Sequence, residues 1–296
     1  MTPIDGYYIN LDRSPERRAS MEAELAAKNL SFVQRFPAVD GRARPRPAAC
    51  AIPPAAYGSF LSHYEIIRQS APDSCTLIFE DDMTISANLA GTLSPENLPS
   101  FLEYDLVFLD CQPGIDLQTP WLYYQATRAM RNLDNAALSA DERRQATTVA
   151  VFAASGFYRW GAAAYLVTPR GKAKLGDLLQ RTLERGPPGT LDIDFRNLIE
   201  SGAIDAVMLL PFLATPDIRG MCESTIEGRE QANLPFVLLS AIRRLFYAGD
   251  IDGIRAWVNT VLPIDLPEDD QGLMAELLRQ ISIGLSRDEN FLTLGP

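Results

Sequence analysis

The stretch Leu77-Ile78-Phe79-Glu80-Asp81-Asp82 decides how this chain is read: an apolar, strand-like run that stops in three adjacent carboxylates. Like charges crowded at one strand end repel one another, so the arrangement is costly unless a cation sits among them. In extended backbone alternate side chains share a face, which turns Glu80 and Asp82 one way and Asp81 the other. A hard divalent ion suits such oxygens. The competing reading is an ordinary one, a helix cap or a solvated acidic turn, because Asp is also a favoured capping residue.

Outward from this run, strand-like and helix-like segments alternate, which predicts an α/β fold. Residues 5 to 11 read as a strand that ends at Asn10-Leu11, and Ser14-Pro15 supplies the N-cap and first position of a helix to about residue 29. A helix is expected over 57 to 70, with Phe60, Tyr64 and Ile67 on one stripe, and strands over 75 to 80 and 105 to 110, the latter ending at Asp110. From 112 to about 155 the pattern is irregular, and insertions of that length between sheet elements are commonly functional. Order resumes with a strand over 163 to 167, a helix opened by Thr168-Pro169, and a stop at Gly186-Pro187-Pro188-Gly189. Asp192 then reads as a loop residue beside the sheet edge, and Asp194 as the cap of a helix over 195 to 200. Residues 206 to 210 form the last buried strand.

The expected division is a main domain over 1–226 and a helical extension over 227–296. Phe236, Leu239, Ile242, Leu245, Phe246 and Trp257 recur there at near-helical spacing, so their apolar faces should bury against the main domain or a second copy, which allows a homodimer. No carboxylate cluster like Glu80 to Asp82 occurs in the extension, which is therefore expected to support the chemistry without supplying it.

At 296 residues, 47% hydrophobic and 22% charged, the chain can bury a full core. A net charge of −11 argues against nucleic acid, whose phosphates demand clustered Lys and Arg, and against an anionic membrane surface. The short cationic run Arg42-Ala43-Arg44-Pro45-Arg46-Pro47 reads as a solvated loop. Cys50, Cys75, Cys111 and Cys222 are scattered without a CxxC pair, the usage of reduced thiols rather than of a disulfide framework or zinc site. No apolar run approaches the 18 or so residues needed to span a bilayer, and the N-terminus lacks a signal-peptide pattern, so a cytoplasmic location with at most peripheral membrane contact is expected. His63, the single histidine, excludes Ser/His/Asp and Cys/His catalysis unless it is itself the base. No GxxxxGK[ST] loop is present, which disfavours a P-loop kinase.

Taken in order, Tyr7-Tyr8-Ile9-Asn10-Leu11, Arg17-Arg18, Phe36-Pro37-Ala38-Val39-Asp40-Gly41, Gly58-Ser59-Phe60-Leu61-Ser62-His63 and the acidic strand end form a recognisable series. With Trp160 to Val167, Leu191-Asp192 and the segment from Pro211 to about Ile226, they resemble glycosyltransferase family 25, which contains lipooligosaccharide and collagen galactosyltransferases. The resemblance implies a GT-A-like, Rossmann-type nucleotide-sugar transferase acting on a glycan or lipid-linked glycan, with a UDP-sugar donor and Mn²⁺ or Mg²⁺. It assigns Glu80 and Asp82 to the metal, Asp82 first, and Asp81 to the ribose or sugar. Asn10, Leu11, Arg17, Ser62 and His63 would lie near the nucleotide, and the 112 to 155 insertion near the acceptor. An inverting transfer also needs a base to take the acceptor proton. Asp192 stands at the family's "VD" position, with Asp194 and Asp110 as alternatives.

Overall fold

The computed structural model describes residues 2–113, 139, 149–217, 243–244 and 246–247. Most of the 112 to 155 insertion and of the expected C-terminal extension, Cys222 included, therefore lies outside the described residues.

Strand β3 (Cys75–Glu80) is buried along its length except at Glu80. It is an interior strand, third in a seven-stranded mixed sheet of order β2-β1-β3-β7-β5-β8-β6. The other strands are β1 (Ile4–Asn10), β2 (Val33–Pro37), β5 (Leu106–Pro113), β6 (Ala150–Ala153), β7 (Tyr158–Val167) and β8 (Ala206–Leu210). Strands β1 and β3 run parallel, with Ile9 opposite Glu80, whereas β7 is antiparallel to both β3 and β5. Two short strands, β4 (Met83–Ile85) and β9 (Ala214–Pro216), pair separately. The α/β class expected from the sequence is the class found.

The sheet is buried on both faces, which is why its strands read as near-continuous apolar runs. Leu77 and Phe79 enter one core layer with Met21 and Leu25 of helix α1 (Pro15–Ala27). Ile78 enters the other with Phe60 of helix α2 (Pro54–Gln69), Tyr165, and Phe195. Val107 and Leu109 against Leu106 and Phe108 repeat the same alternation on β5. A short helix α3 (Leu89–Thr92) lies on the first face, and α4 (Pro169–Arg185) and α5 (Leu191–Glu200) on the second.

Several boundaries differ from expectation for local reasons. Helix α2 begins at Pro54, behind an extended Pro53, because proline suits the first helical position. Strand β7 starts at Tyr158 rather than Ala163, and its early residues pair with β5 through register shifts that break the alternation. Asp192 is not on a loop: Thr190 is the N-cap of α5, so Asp192 and Asp194 both fall in that helix's first turn. The described helices include none long and apolar enough to cross a membrane. Cys50, Cys75 and Cys111 are free thiols.

Candidate active site

The parallel pairing of β1 with β2 and β3 brings Asn10, Pro37 and Glu80 to one edge of the sheet. Strand β5, parallel to β3 by way of β7, delivers Asp110 to the same edge. This is where open α/β sheets bind ligands, beyond the carboxyl ends of their strands. A cleft opens there, lined by Leu11, Ser14, Arg17, Asp40, Ser59 and all three carboxylates of the acidic run. Its far wall depends on two glycines: a Cβ on Gly58 would lie 2.4 Å from the Val39 carbonyl oxygen, and one on Gly41 would lie 1.8 Å from that of Pro54. No side chain fits at either contact. The two glycines let the Val39–Gly41 segment press against α2.

The expected alternation fails at the strand end, because β3 stops at Glu80 and the chain turns. Asp81 therefore faces the same cleft as Glu80 and Asp82. The cation among them is part of the chain: one terminal nitrogen of Arg17 stands 2.9 Å from Asp81 Oδ1 and 2.5 Å from Asp82 Oδ2. Asn10 Nδ2 donates to Asp81 Oδ2 at 2.6 Å, and Asn10 Oδ1 accepts from Arg35 Nε at 3.0 Å. Burial pushes the Asp82 carboxyl up to about 7, against the pull of Arg17. Asp82 Oδ1 is buried without a hydrogen-bond partner, as is Arg17 Nε. Burial also raises Asp81, although Arg17 and Asn10 oppose it.

His63 does not reach the cleft. It is 1% exposed, stacks on Tyr165 and hydrogen-bonds that hydroxyl through Nδ1 at 2.8 Å, while Nε2 stands 3.8 Å from Glu80 Oε1. Burial, with the Glu80 charge adding to it, holds the Tyr165 hydroxyl protonated well above the usual range. The Tyr165 contact occupies Nδ1 and leaves Nε2 as the ring atom facing Glu80. His63 thus orients the carboxylate. Burial drives Glu80 upward, but His63, Arg17 and Arg243 outweigh it and keep the group below its ordinary value.

Ser62, expected near the nucleotide, is fully buried. Its hydroxyl accepts from Val39 N and donates to Gly58 O, both at 2.8 Å, so it secures the cleft wall from behind, and Ser59 is the serine that faces inward. Asp110 is likewise withdrawn. It is wholly buried and takes both Nε, at 2.8 Å, and a terminal nitrogen of Arg243, which leaves no free edge for a base. Asp194 accepts from Thr182 Oγ1 of α4 at 3.2 Å, in the seam between two helices and away from the cleft. Asp192 is differently placed. Its Oδ1 accepts from Ile193 N and Thr190 Oγ1, and its Oδ2 takes one bond, from Gly161 N on the early part of β7, at 3.2 Å.

Arg243 was not singled out by the sequence. It comes from the segment read as mere support, is seated where a Cβ on Gly161 would be only 3.3 Å from its terminal nitrogen, and burial lowers it to about 10 even though Glu80 and Asp82 pull the other way. Arg244 and Tyr247 hold this piece in place: Arg244 donates to Pro216 O, and Tyr247 bridges to Phe212. No spacing pattern links residue 243 to Asp110, so only the folded chain reveals the pair.

Residues 4–186, more than half of the chain, match the profile of glycosyltransferase family 25, described as an LPS biosynthesis protein family. The chain belongs to glycosyltransferase family 25. It is accordingly a glycosyltransferase, and the residues that line the cleft at the acidic edge all lie within the matched stretch. A comparison with curated proteins gives no match. Among solved structures, one similar chain is the galactosyltransferase LgtC in complex with donor and acceptor sugar analogues, at 11% identity and a TM-score of 0.37, covering 86% of this chain and 99% of that one.

Proposed function

We propose that this family 25 glycosyltransferase moves a hexose, galactose first among the candidates, from a UDP-sugar to a bacterial surface-glycan or lipid-linked glycan acceptor, with inversion and with a divalent cation. The observation that carries the metal reading is the unsatisfied acidic edge. Glu80, Asp81, Asp82 and Asp110 outnumber the guanidiniums of Arg17 and Arg243, and Asp82 Oδ1 is buried without a donor. Hard carboxylate oxygens with a surplus of negative charge fit Mn²⁺ or Mg²⁺. With Arg17 between them they do not converge as a finished cage, and no group of three or more His, Cys, Asp or Glu among the described residues does so. Asp82 and Glu80 are the ligands proposed. When bound, the ion would neutralise the departing diphosphate through its oxygens.

The chain's own groups do the rest. Asn10, held by Arg35, fixes Asp81 for a ribose or sugar hydroxyl, and Leu11 lines the cleft beside it. Tyr165 holds His63 with its Nε2 facing Glu80. Asp192 takes the proton of the acceptor hydroxyl: Oδ1 is held by two donors, while Oδ2 keeps a lone pair beyond its bond to Gly161.

Calorimetric titration of the whole protein with UDP tests the donor and metal together. Binding in Mn²⁺ that disappears in EDTA and in Asp82→Asn is the expected result, and equal affinity in EDTA and Mn²⁺ would refute the metal assignment. For the base, Asp192→Asn should lower turnover by about two or more orders of magnitude with little change in donor binding. Full turnover in that variant would remove Asp192 from the role.

A further inference from the structure

Arg17 engages its partners unlike the other arginines of this edge. Arg35 presents Nε and a terminal nitrogen to Asn10, both at 3.0 Å, and Arg243 presents the same two kinds of nitrogen to Asp110. Both forks are fully used. Arg17 instead serves two carboxylates of neighbouring residues through one terminal nitrogen, and its Nε is buried with no acceptor. The same contact leaves Asp82 Oδ1 without a donor. Two buried polar atoms, one on each partner, are thus unsatisfied in this arrangement, which is costly for both.

The position of Arg17 along its helix points the same way. It lies in the first turn of α1, two residues after Pro15, where a cation opposes the helix dipole and an anion is favoured. Its side chain is 27% exposed and lines the cleft together with Ser14, so the guanidinium can move without crossing the core.

We propose that Arg17 is an exchangeable counter-ion, which holds Asp81 and Asp82 while the site is empty and passes to the diphosphate of the donor when a divalent cation takes Asp82 and the donor's sugar or ribose takes Asp81. This rests on the metal reading above and adds a coupling to it. The exchange gives Arg17 Nε an anionic acceptor and frees Asp82 for the incoming cation and Asp81 for the donor's hydroxyl. It also places a diphosphate near the positive end of α1. Cation and nucleotide then bind together better than either alone, because each relieves the contact that blocks the other.

The test uses the full chain as wild type, Arg17→Met, Arg17→Lys and Asp82→Asn, titrated with Mn²⁺ alone and then with UDP in saturating Mn²⁺. Loss of the resident cation should tighten Mn²⁺ alone by about ten-fold or more in Arg17→Met, while UDP in Mn²⁺ weakens by about ten-fold or more, each about 1.4 kcal/mol or above. Arg17→Lys should bring both values back toward wild type. Mn²⁺ that tightens with UDP unaffected would overturn the transfer to the diphosphate, and unchanged or jointly weakened values would overturn the exchange. Mn²⁺ binding lost in Asp82→Asn but unaltered in Arg17→Met would keep the metal site and reject only the exchange. If none of the four proteins binds Mn²⁺, the metal reading falls and the exchange falls with it.

Discussion

Two ends of the same sheet gather carboxylates, and they do so to opposite effect. At the far end, where β5 begins, Asp105 is wholly buried, yet Lys174 Nζ lies 2.6 Å from its Oδ2, Arg170 Nε lies 3.1 Å from its Oδ1, and Asp205 N donates to Oδ2 at 2.8 Å. The pair of cations comes from one helix, α4, at adjacent turns. At the near end Glu80, Asp81 and Asp82 share one guanidinium nitrogen and a distant histidine. Asp105 Oδ1, like Asp82 Oδ1, has no hydrogen bond, so the difference between the two ends is one of charge: two cations for one carboxylate mark a structural group, which locks β5, α4 and the loop before β8 together. Shortfall marks a site whose missing charge comes from a ligand.

The sharpest way to break this comparison is to neutralise one residue at each end. Asp105→Asn leaves Arg170 and Lys174, both partly exposed, around a neutral amide and weakens the bonds to a buried hub, a change that should cost about 1–3 kcal/mol of stability. Urea unfolding followed by fluorescence measures it, and donor binding by the folded fraction should be unaltered. Asp82→Asn should do the reverse, leaving the midpoint unchanged or higher because a poorly compensated buried charge is gone, while Mn²⁺ and UDP binding is lost. A large stability loss in Asp82→Asn would mean that the two ends are alike.

The Asp110–Arg243 pair sits between the two cases, a fully compensated carboxylate located at the functional end. Arg243→Met should leave Asp110 buried without its partner at a cost of about 1–3 kcal/mol. Asp110→Asn in the same chain should recover part of the loss, a double-mutant cycle that isolates the pair. Additive effects would show that Arg243 acts on Glu80 and Asp82 rather than through Asp110.

How much of this was legible in the sequence follows from the range of each signal. β1 and β3 were readable because strands buried on both faces are short apolar runs, and α4 because Thr168 caps it by accepting from Gly171 N. The short strands β2, β4, β6 and β9 have too few residues to show a period. The acidic run was legible as a place that needs a cation, but not that Arg17, far off in the chain, is the resident one. The alternation rule put Asp81 on the wrong side because it holds only while the backbone stays extended. Ser62 and His63 were expected near the nucleotide, yet a sequence does not say whether a polar side chain faces a cleft or stands behind its wall. Asp194 was expected to cap a helix, but Thr190 takes that place four residues earlier, so both aspartates fall inside the first turn.

Asp194 offers the smallest effect and the most direct check on how the two aspartates of α5 differ. Its carboxyl is raised by burial in the seam with α4, and only the Thr182 hydroxyl opposes the shift. A carboxyl whose folded value lies above its unfolded value favours the native state most at low pH. That contribution is lost as pH rises from the unfolded value through the folded one, since the native state must then carry a partly desolvated charge. Asp194→Asn removes this dependence. The variant should be as stable as wild type in acid and equal or slightly more stable at neutral pH, with the gap opening across the carboxylate range, and its turnover should be unchanged because the side chain points away from the cleft. Thermal unfolding of both proteins from acid to neutral pH measures the gap. A gap of opposite sign would show that the Thr182 bond outweighs burial, and a fall in turnover comparable to that expected of Asp192→Asn would return Asp194 to the catalytic group.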